Sequence, residues 1–100
     1  MEKKKFAMMI LGPYYDPEQH QAHFETAWGD TYIVTVRDFE EAKEKIRQLQ
    51  QMGVGAVEVC GGFGPERAKE LIALTNGKLA VGYVTSFPEQ APLFAQVFGD

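Results

Sequence analysis

The chain has 100 residues, of which 45% are hydrophobic and 24% charged, and a formal net charge of −4. These values predict one globular domain over residues 1–100 and exclude a disordered chain. Nucleic acid is not an expected partner, because the one basic cluster is Lys3–Lys5 and phosphate binding needs a broader basic surface. A single cysteine, Cys60, excludes an intrachain disulfide, and the apolar run Phe6–Leu11 is too short for a membrane span. We therefore expect a cytoplasmic protein that does not bind membranes.

The first quarter of the chain predicts a strand and a short helix. Lys5–Leu11 is nearly all apolar, which is typical of a strand covered on both faces in a parallel sheet. Asp16 suits the cap before a helix, Pro17 suits the first helical position, and Gln19 is placed for a capping box. These signals predict a helix over Pro17–Ala27.

The rest of the chain repeats this strand–helix pattern. Asp38 and Glu41 form a second capping box, and apolar residues then recur along one helical face until Gly53 ends the helix. The other elements are predicted from β-branched runs and apolar periodicity: strands at Thr31–Arg37, Val54–Cys60 and Leu79–Thr85, and helices at Pro65–Thr75 and Gln90–Phe98.

The four predicted strands begin near residues 5, 31, 54 and 79, so the strand–helix unit recurs at a nearly constant spacing. This rhythm predicts an α/β domain of four mostly parallel strands alternating with helices, built as a half-barrel or as a small open sheet. If Pro17–Ala27 is irregular, the first strand pair becomes antiparallel and the fold becomes a two-layer α/β sandwich.

The last predicted helix has an apolar face made of Leu93, Phe94, Val97 and Phe98. A small parallel sheet also leaves edges that native proteins cover or pair. We expect self-association into a dimer or a higher oligomer, with this face as one candidate contact. Packing of the helix onto its own sheet is the alternative. On this basis, one functional hypothesis is a non-catalytic homo-oligomeric assembly module.

Ligands of parallel α/β sheets gather at the carboxyl ends of the strands. The predicted topology brings Tyr14, Arg37 and Thr85 to that edge, after the first, second and fourth strands. The third strand ends in the turn Gly61-Gly62-Phe63-Gly64, where glycine lets the backbone approach a ligand and free N–H groups favour an anion. The turn lacks the lysine of a P-loop, and a purely structural tight turn is the other interpretation.

Three residues near this edge are candidates for acid–base or nucleophilic chemistry. Glu58 is an ionisable group in an otherwise apolar strand, which is costly unless it is paired, lines a cavity or faces water. Cys60 lies at the strand end, where turn N–H groups favour a thiolate, although a lone cysteine is commonly a small buried hydrophobe. With His20, these residues suggest a site for a small anionic or carbonyl-bearing molecule, in which Arg37 clamps a carboxylate.

A metal site is a weaker hypothesis. Asp16, His20 and His23 would be neighbours on one face of the predicted helix. The sequence has no H-E-x-x-H pattern and no further ligand at a definite spacing, and exposed helical histidines are the alternative. No cofactor is predicted.

Five segments carry a family resemblance: Asp16-Pro17 with His20, Glu25-Thr26, Asp38–Ala42, Gly77-Lys78, and above all Glu58–Gly64, which reads Glu-Val-Cys-Gly-Gly-Phe-Gly. They resemble a family of short prokaryotic proteins classed as a domain of unknown function, DUF6506. The resemblance covers roughly residues 5–85 and brings no established activity. It implies that His20, Glu25, Glu58 and Cys60 are candidate site residues.

Overall fold

The computed structural model, which describes residues 3–99, has five strands and three α-helices in that range. The strands are β1 (Lys4–Leu11), β2 (Ala22–Glu25), β3 (Gly29–Val36), β4 (Ala56–Val59) and β5 (Ala80–Tyr83). The helices are α1 (Phe39–Gln51), α2 (Gly64–Leu74) and α3 (Ala91–Phe98), and a 3-10 turn lies at Pro88–Gln90. None of these helices has both the length and the apolar character that crossing a membrane requires.

The strands form one sheet in the order β2-β3-β1-β4-β5. β1 is central and pairs in parallel with β3 on one side and with β4 on the other. β5 adds a parallel edge next to β4, and β2 adds an antiparallel edge next to β3. The sheet is open and mixed, which confirms the predicted α/β domain of mostly parallel strands. The first two predicted strands, β1 and β3, pair in parallel, and the one antiparallel strand is β2, which lies where a helix was predicted.

The helix predicted over Pro17–Ala27 is wrong, because this segment forms one turn and then the edge strand β2. The start signal acts locally: the amide of His20 donates to the carbonyl oxygen of Asp16 over 2.8 Å, as in a helix. The turn does not propagate, because the hydroxyl of Thr35 donates to the carbonyl oxygen of His20 over 2.8 Å and fixes it beside β3. Residues 22–25 then pair with β3, and this pairing outweighs their weak helix propensity.

Local signals begin α1 as predicted. The carboxylate of Asp38 accepts the amide of Glu41 over 2.9 Å, which caps the helix. The carboxylate of Glu41 accepts the amide of Arg37 instead of that of Asp38, so the capping box is displaced by one residue. α1 and α2 pack against each other and on one face of the sheet. The core between these layers contains Ala7, Met9, Val34, Val36, Ala42, Ile46, Leu49, Val57, Val59, Phe63, Ala68 and Leu71.

The other face of the sheet has no helix packed on it within residues 3–99, and we call it the open face. Four apolar side chains at its centre are half-buried and lie outside the core: Phe6, Met8, Ile10 and Ile33. The strand pairing places the remaining members of the open face around them: Ala22, Phe24, Thr31, Thr35, Ala56, Glu58, Ala80 and Gly82. β1, which the sequence predicted to be covered on both faces, is therefore covered on one.

α3 lies outside the core. All eight of its residues are exposed, and the element against which it packs is the 3-10 turn that precedes it. The apolar face predicted from the sequence is 48–78% exposed at its four residues, Leu93, Phe94, Val97 and Phe98. The alternative, in which this face packs onto its own sheet, is wrong, because the face is exposed to solvent.

The turn between β2 and β3 brings two backbones unusually close. Gly29 has a φ of +153°, and a Cβ at this position would lie 2.1 Å from the carbonyl oxygen of Lys4. The hydroxyl of Thr26 fixes the turn, because it donates to the carbonyl oxygen of Gly29 over 3.1 Å. Glycine is therefore required where β3 begins to pair with β1.

Candidate ligand-binding site

Glu58 stands in the middle of the open face. It lies opposite Met8 on β1 and Gly82 on β5, and it is exposed. No ion pair involves it within residues 3–99. Of the interpretations that the sequence left open, the structure shows a carboxylate that faces water on an uncovered sheet face.

Cys60 follows directly after the end of β4, two residues beyond Glu58. Its amide donates to the carbonyl oxygen of Met9 over 3.0 Å, and its Sγ accepts the amide of Leu11 over 3.2 Å. The sulfur therefore satisfies a main-chain donor at the point where β4 ends. The thiol is half-buried and packs against the edge of the core, so its position is fixed.

The turn after β4 has a buried part and an exposed part. Phe63 is 4% exposed and packs edge-on against Phe39, with ring centroids 6.4 Å apart. Gly61 and Gly62 are exposed, and their amides have no acceptor within residues 3–99. Gly64 begins α2 with a φ of +72°, which glycine adopts easily. Because the Phe63 side chain is buried in the core, the groups of this turn that can bind a ligand are the free amides of Gly61 and Gly62.

His20 lies at the carboxyl end of β3, where Thr35 holds its carbonyl oxygen. Its ring Nδ1 accepts the amide of Asp16 over 2.8 Å, which requires the tautomer with the proton on Nε2. The ring of Tyr15 packs edge-on against it, with centroids 5.9 Å apart. The exposed imidazole is therefore oriented by its own turn, with Nε2–H as the group left to donate.

Arg37, predicted to clamp a ligand carboxylate, binds a carboxylate of its own chain. Its Nε and Nη2 lie 3.0 and 2.6 Å from Oε2 of Glu41. The hydrogen bonds from Arg37 lower the pKa of the Glu41 carboxyl group, and Glu41 raises the pKa of the guanidinium. A groove of about 450 Å³ beside this pair is also lined by Asp16, Glu18, Glu44 and Lys45. Its carboxylates outnumber its cations, which disfavours an anion there.

Tyr14 and Thr85 lie on the chain turns at this edge. Tyr14 is 95% exposed in the turn after β1. Thr85 is exposed just beyond β5, where the amide of Val84 still donates to the carbonyl oxygen of Val59 over 2.9 Å. A Cβ on Gly61 would lie 3.4 Å from the carbonyl oxygen of Val84, so the chain around Thr85 borders the glycine turn.

The residues proposed as metal ligands are separated in the structure. His20 and Asp16 remain on the turn, whereas His23 lies on β2 opposite Tyr32, and their rings stack with centroids 4.4 Å apart. Across residues 3–99, no group of three His, Cys, Asp or Glu side chains is arranged to hold a metal ion. The spacing that motivated the hypothesis depended on the helix over Pro17–Ala27, which does not form.

The sequence reasoning missed two buried polar residues, Asp30 and Thr35, which are 4% and 3% exposed. Oδ1 of Asp30 lies 3.0 Å from Nε2 of His23 and 3.5 Å from Nζ of Lys3. The bond from His23 is the main cause that lowers the pKa of the Asp30 carboxyl group. Nζ of Lys3 also lies 3.4 Å from Oε1 of Glu25. Glu25, which the family resemblance marked as a candidate site residue, therefore belongs to the same ion cluster. For Thr35 a signal was present: Thr31, Ile33 and Thr35 are spaced two residues apart, so they share one face of β3, and that face is partly polar and partly apolar.

These features define a small α/β protein with an open mixed sheet, whose candidate site lies where β4 meets the glycine turn. The chain belongs to DUF6506, a family of unknown function, whose model matches residues 4–99. The resemblance inferred from the sequence is thereby confirmed. No curated protein and no solved structure matches the chain.

Proposed function

We propose that the protein binds a small carbonyl-bearing or anionic molecule at the carboxyl end of the open face. The observation that carries this proposal is the sequence of groups along one stretch: the unpaired carboxylate of Glu58, the thiol of Cys60, and the free amides of Gly61 and Gly62. Free main-chain N–H groups ahead of a helix attract a carbonyl oxygen or an anion. The apolar side chains beside Glu58 supply a floor, as small-molecule sites usually have.

The charge of Glu58 determines the orientation of such a ligand. A carboxylate repels an anionic group, so the carbonyl or anionic end belongs at the amides of Gly61 and Gly62. A hydroxyl, amide or amine group belongs at Glu58, which accepts hydrogen bonds from it. The Cα atoms of Glu58 and Gly61 are three residues apart, roughly 10 Å in an extended chain, which a metabolite-sized molecule spans.

We extend the proposal to proton transfer on the bound molecule. Glu58 is the base that takes the proton in this scheme, and the Nε2–H of His20 donates a hydrogen bond to the oxygen on which negative charge develops. Cys60 serves as a wall, because its sulfur already accepts the amide of Leu11. We also propose a cytoplasmic location, since the lone cysteine leaves no intrachain disulfide, as is usual in a reducing compartment.

Amide NMR spectra recorded during titration with small hydroxy acids, keto acids and amides test the proposal. We expect the resonances of Gly61 and Gly62 to shift with at least one of these classes. Loss of a hydrogen bond to a charged group should make Glu58→Gln bind that compound about tenfold more weakly. The matched control is Glu70→Gln, because Glu70 is an exposed carboxylate on α2, and it should bind as the native chain does. A panel without any shift, or equal weakening by both variants, would contradict the proposal.

A further inference from the structure

We propose that two copies of this chain form a homodimer by exchanging their C-terminal helices. Each α3 packs across the amino half of the partner's open face, which consists of Phe6, Met8, Phe24, Thr31, Ile33, Ala56 and Ala80. The inference goes beyond ligand binding and does not depend on it.

α3 needs an apolar surface to cover its apolar face, and within residues 3–99 it packs on no part of the sheet. It has eight residues, none of them charged, and all are exposed. An isolated helix of this length is marginal in water, and a helix without charges is normally a buried one. The stability of α3 must therefore come from packing of its apolar face onto another surface.

The path of the chain carries α3 away from its own sheet. Pro88 begins the 3-10 turn and Pro92 lies in the first turn of α3, and each proline fixes its φ. The molecule measures 46 Å along its longest axis and 27 and 25 Å along the others, consistent with an arm that extends from the body. An extended, partly rigid arm reaches a neighbouring molecule more readily than it returns to its own sheet.

The amino half of the open face matches α3 in polarity and in size. Apart from the hydroxyl of Thr31, its side chains are apolar, and Glu58 marks its border. An eight-residue helix is about 12 Å long, and it crosses the three central strands, which together span roughly 10 Å.

The open face continues into a groove of about 350 Å³ at the amino ends of the strands. Phe6 and Ala56 belong to both surfaces, and Trp28, which is 55% exposed, adds an aromatic wall. Lys3–Lys5 line the same groove. Lys3 pairs with Glu25 and Asp30, and Lys5 donates to the carbonyl oxygen of Met52, whereas Lys4 has no such partner within residues 3–99. The carboxyl end of a helix carries partial negative charge, so Lys4 favours an α3 whose Phe98 end enters this groove.

The area that reciprocal exchange buries is enough for a stable dimer. Two phenylalanines, a leucine and a valine that are 48–78% exposed offer roughly 400 Å² on one α3. Two helices and the two sheet areas beneath them then bury about 1,600 Å² in all, the typical size of a specific interface. In this arrangement the partner's helix also closes one side of the site at Glu58.

Crosslinking with a short bis-maleimide tests the exchange. Cys60→Ser removes the native thiol, and Ala56→Cys and Val97→Cys then place thiols on the open face and on α3. We expect a mixture of tagged Ala56→Cys protein and untagged Val97→Cys protein to give a covalent heterodimer. The control mixes Ile72→Cys with Val97→Cys and should give none, because Ile72 lies on the outer side of α2. In a chain that carries both Ala56→Cys and Val97→Cys, a crosslink between these two cysteines of one molecule would overturn the proposal, since α3 would then cover its own sheet.

Sedimentation equilibrium gives a second readout on uncrosslinked protein. We expect a dimer of the 11.2 kDa chain at micromolar concentration, and a dissociation constant at least tenfold higher for Phe98→Asp. Phe98 is 78% exposed, so this variant keeps its fold. The matched control Ile72→Asp should dimerise as the native chain does. A monomeric native chain, or a Phe98→Asp variant that dimerises fully, would overturn the proposal.

Discussion

Replacing Gly29 with alanine tests whether the β2–β3 turn determines how the central strands begin to pair. The added Cβ would lie 2.1 Å from the carbonyl oxygen of Lys4, at the first paired position of β1 and β3. Carbon and oxygen in close contact between strands are normally about 3.3 Å apart. The two strands would therefore separate by about 1 Å at this point, and the first rungs of the ladder would weaken.

The expected cost combines two terms. Forcing an extra methyl group into a packed position costs about 1–3 kcal/mol, and a φ of +153° adds strain of about 1–3 kcal/mol for a residue with a side chain. Partial relaxation of the turn offsets some of this, so we expect a loss of about 3 kcal/mol in the free energy of unfolding. For a domain of this size, that loss lowers the melting temperature by about 12–24 °C.

Urea denaturation followed by circular dichroism at one fixed protein concentration measures this loss. The matched control is Gly55→Ala, because no heavy atom lies within 4 Å of a Cβ on Gly55. This control should be neutral or stabilising by up to about 1 kcal/mol, since alanine restricts the unfolded chain. If Gly29→Ala stays within about 1 kcal/mol of the native chain, or if Gly55→Ala loses as much, the steric reasoning is refuted.

Two further predictions concern the polar groups that support the fold. His23 lowers the pKa of Asp30 below its ordinary value of 3.8, so the stabilisation is present above that pH and is lost as the pH falls towards the folded-state pKa. In urea denaturation, Asp30→Asn should therefore lower the free energy of unfolding at about pH 7 and lower it much less at about pH 3. An equal loss of free energy at both pH values would refute this role of the Asp30 carboxylate. Asp38→Ala removes the cap that accepts the amide of Glu41 and should cost about 1 kcal/mol, whereas Asp38→Ser should retain most of it. Thermal unfolding of both variants checks this, and equal losses would argue against the capping role.

The parts of the fold that local signals determine were predictable. The capping residue Asp38 and the apolar periodicity after it place α1, and the β-branched runs place the parallel strands. The segment 17–27 was not predictable from local signals, because its helical turn does form at Asp16 and is then ended by a distant residue. The hydroxyl of Thr35 and the free edge of β3 decide its structure, and both are tertiary contacts.

The candidate site was predictable only where neighbouring residues in sequence are also neighbours in space. Glu58, Cys60 and the glycine turn follow one another along the chain, so the end of β4 brings them to one edge of the sheet. The sequence analysis assigned Arg37 to a ligand and did not predict its ion pair with Glu41, although the two opposite charges have the i,i+4 spacing that favours such a pair. The burial of Phe63 depends on the position of Phe39, which no local pattern reveals.

Because β1 lies at the centre of the sheet, it waits longest for its partners while the chain is being made. β4 ends at Val59, 48 residues after the end of β1 at Leu11, and a ribosome adds those residues in roughly 2–10 s. Through that interval Phe6–Leu11 presents apolar side chains and at least one unpaired edge, the features of a segment that joins with other copies. Lys3–Lys5 lie directly before it, the position that charged gatekeeper residues take beside a hydrophobic strand.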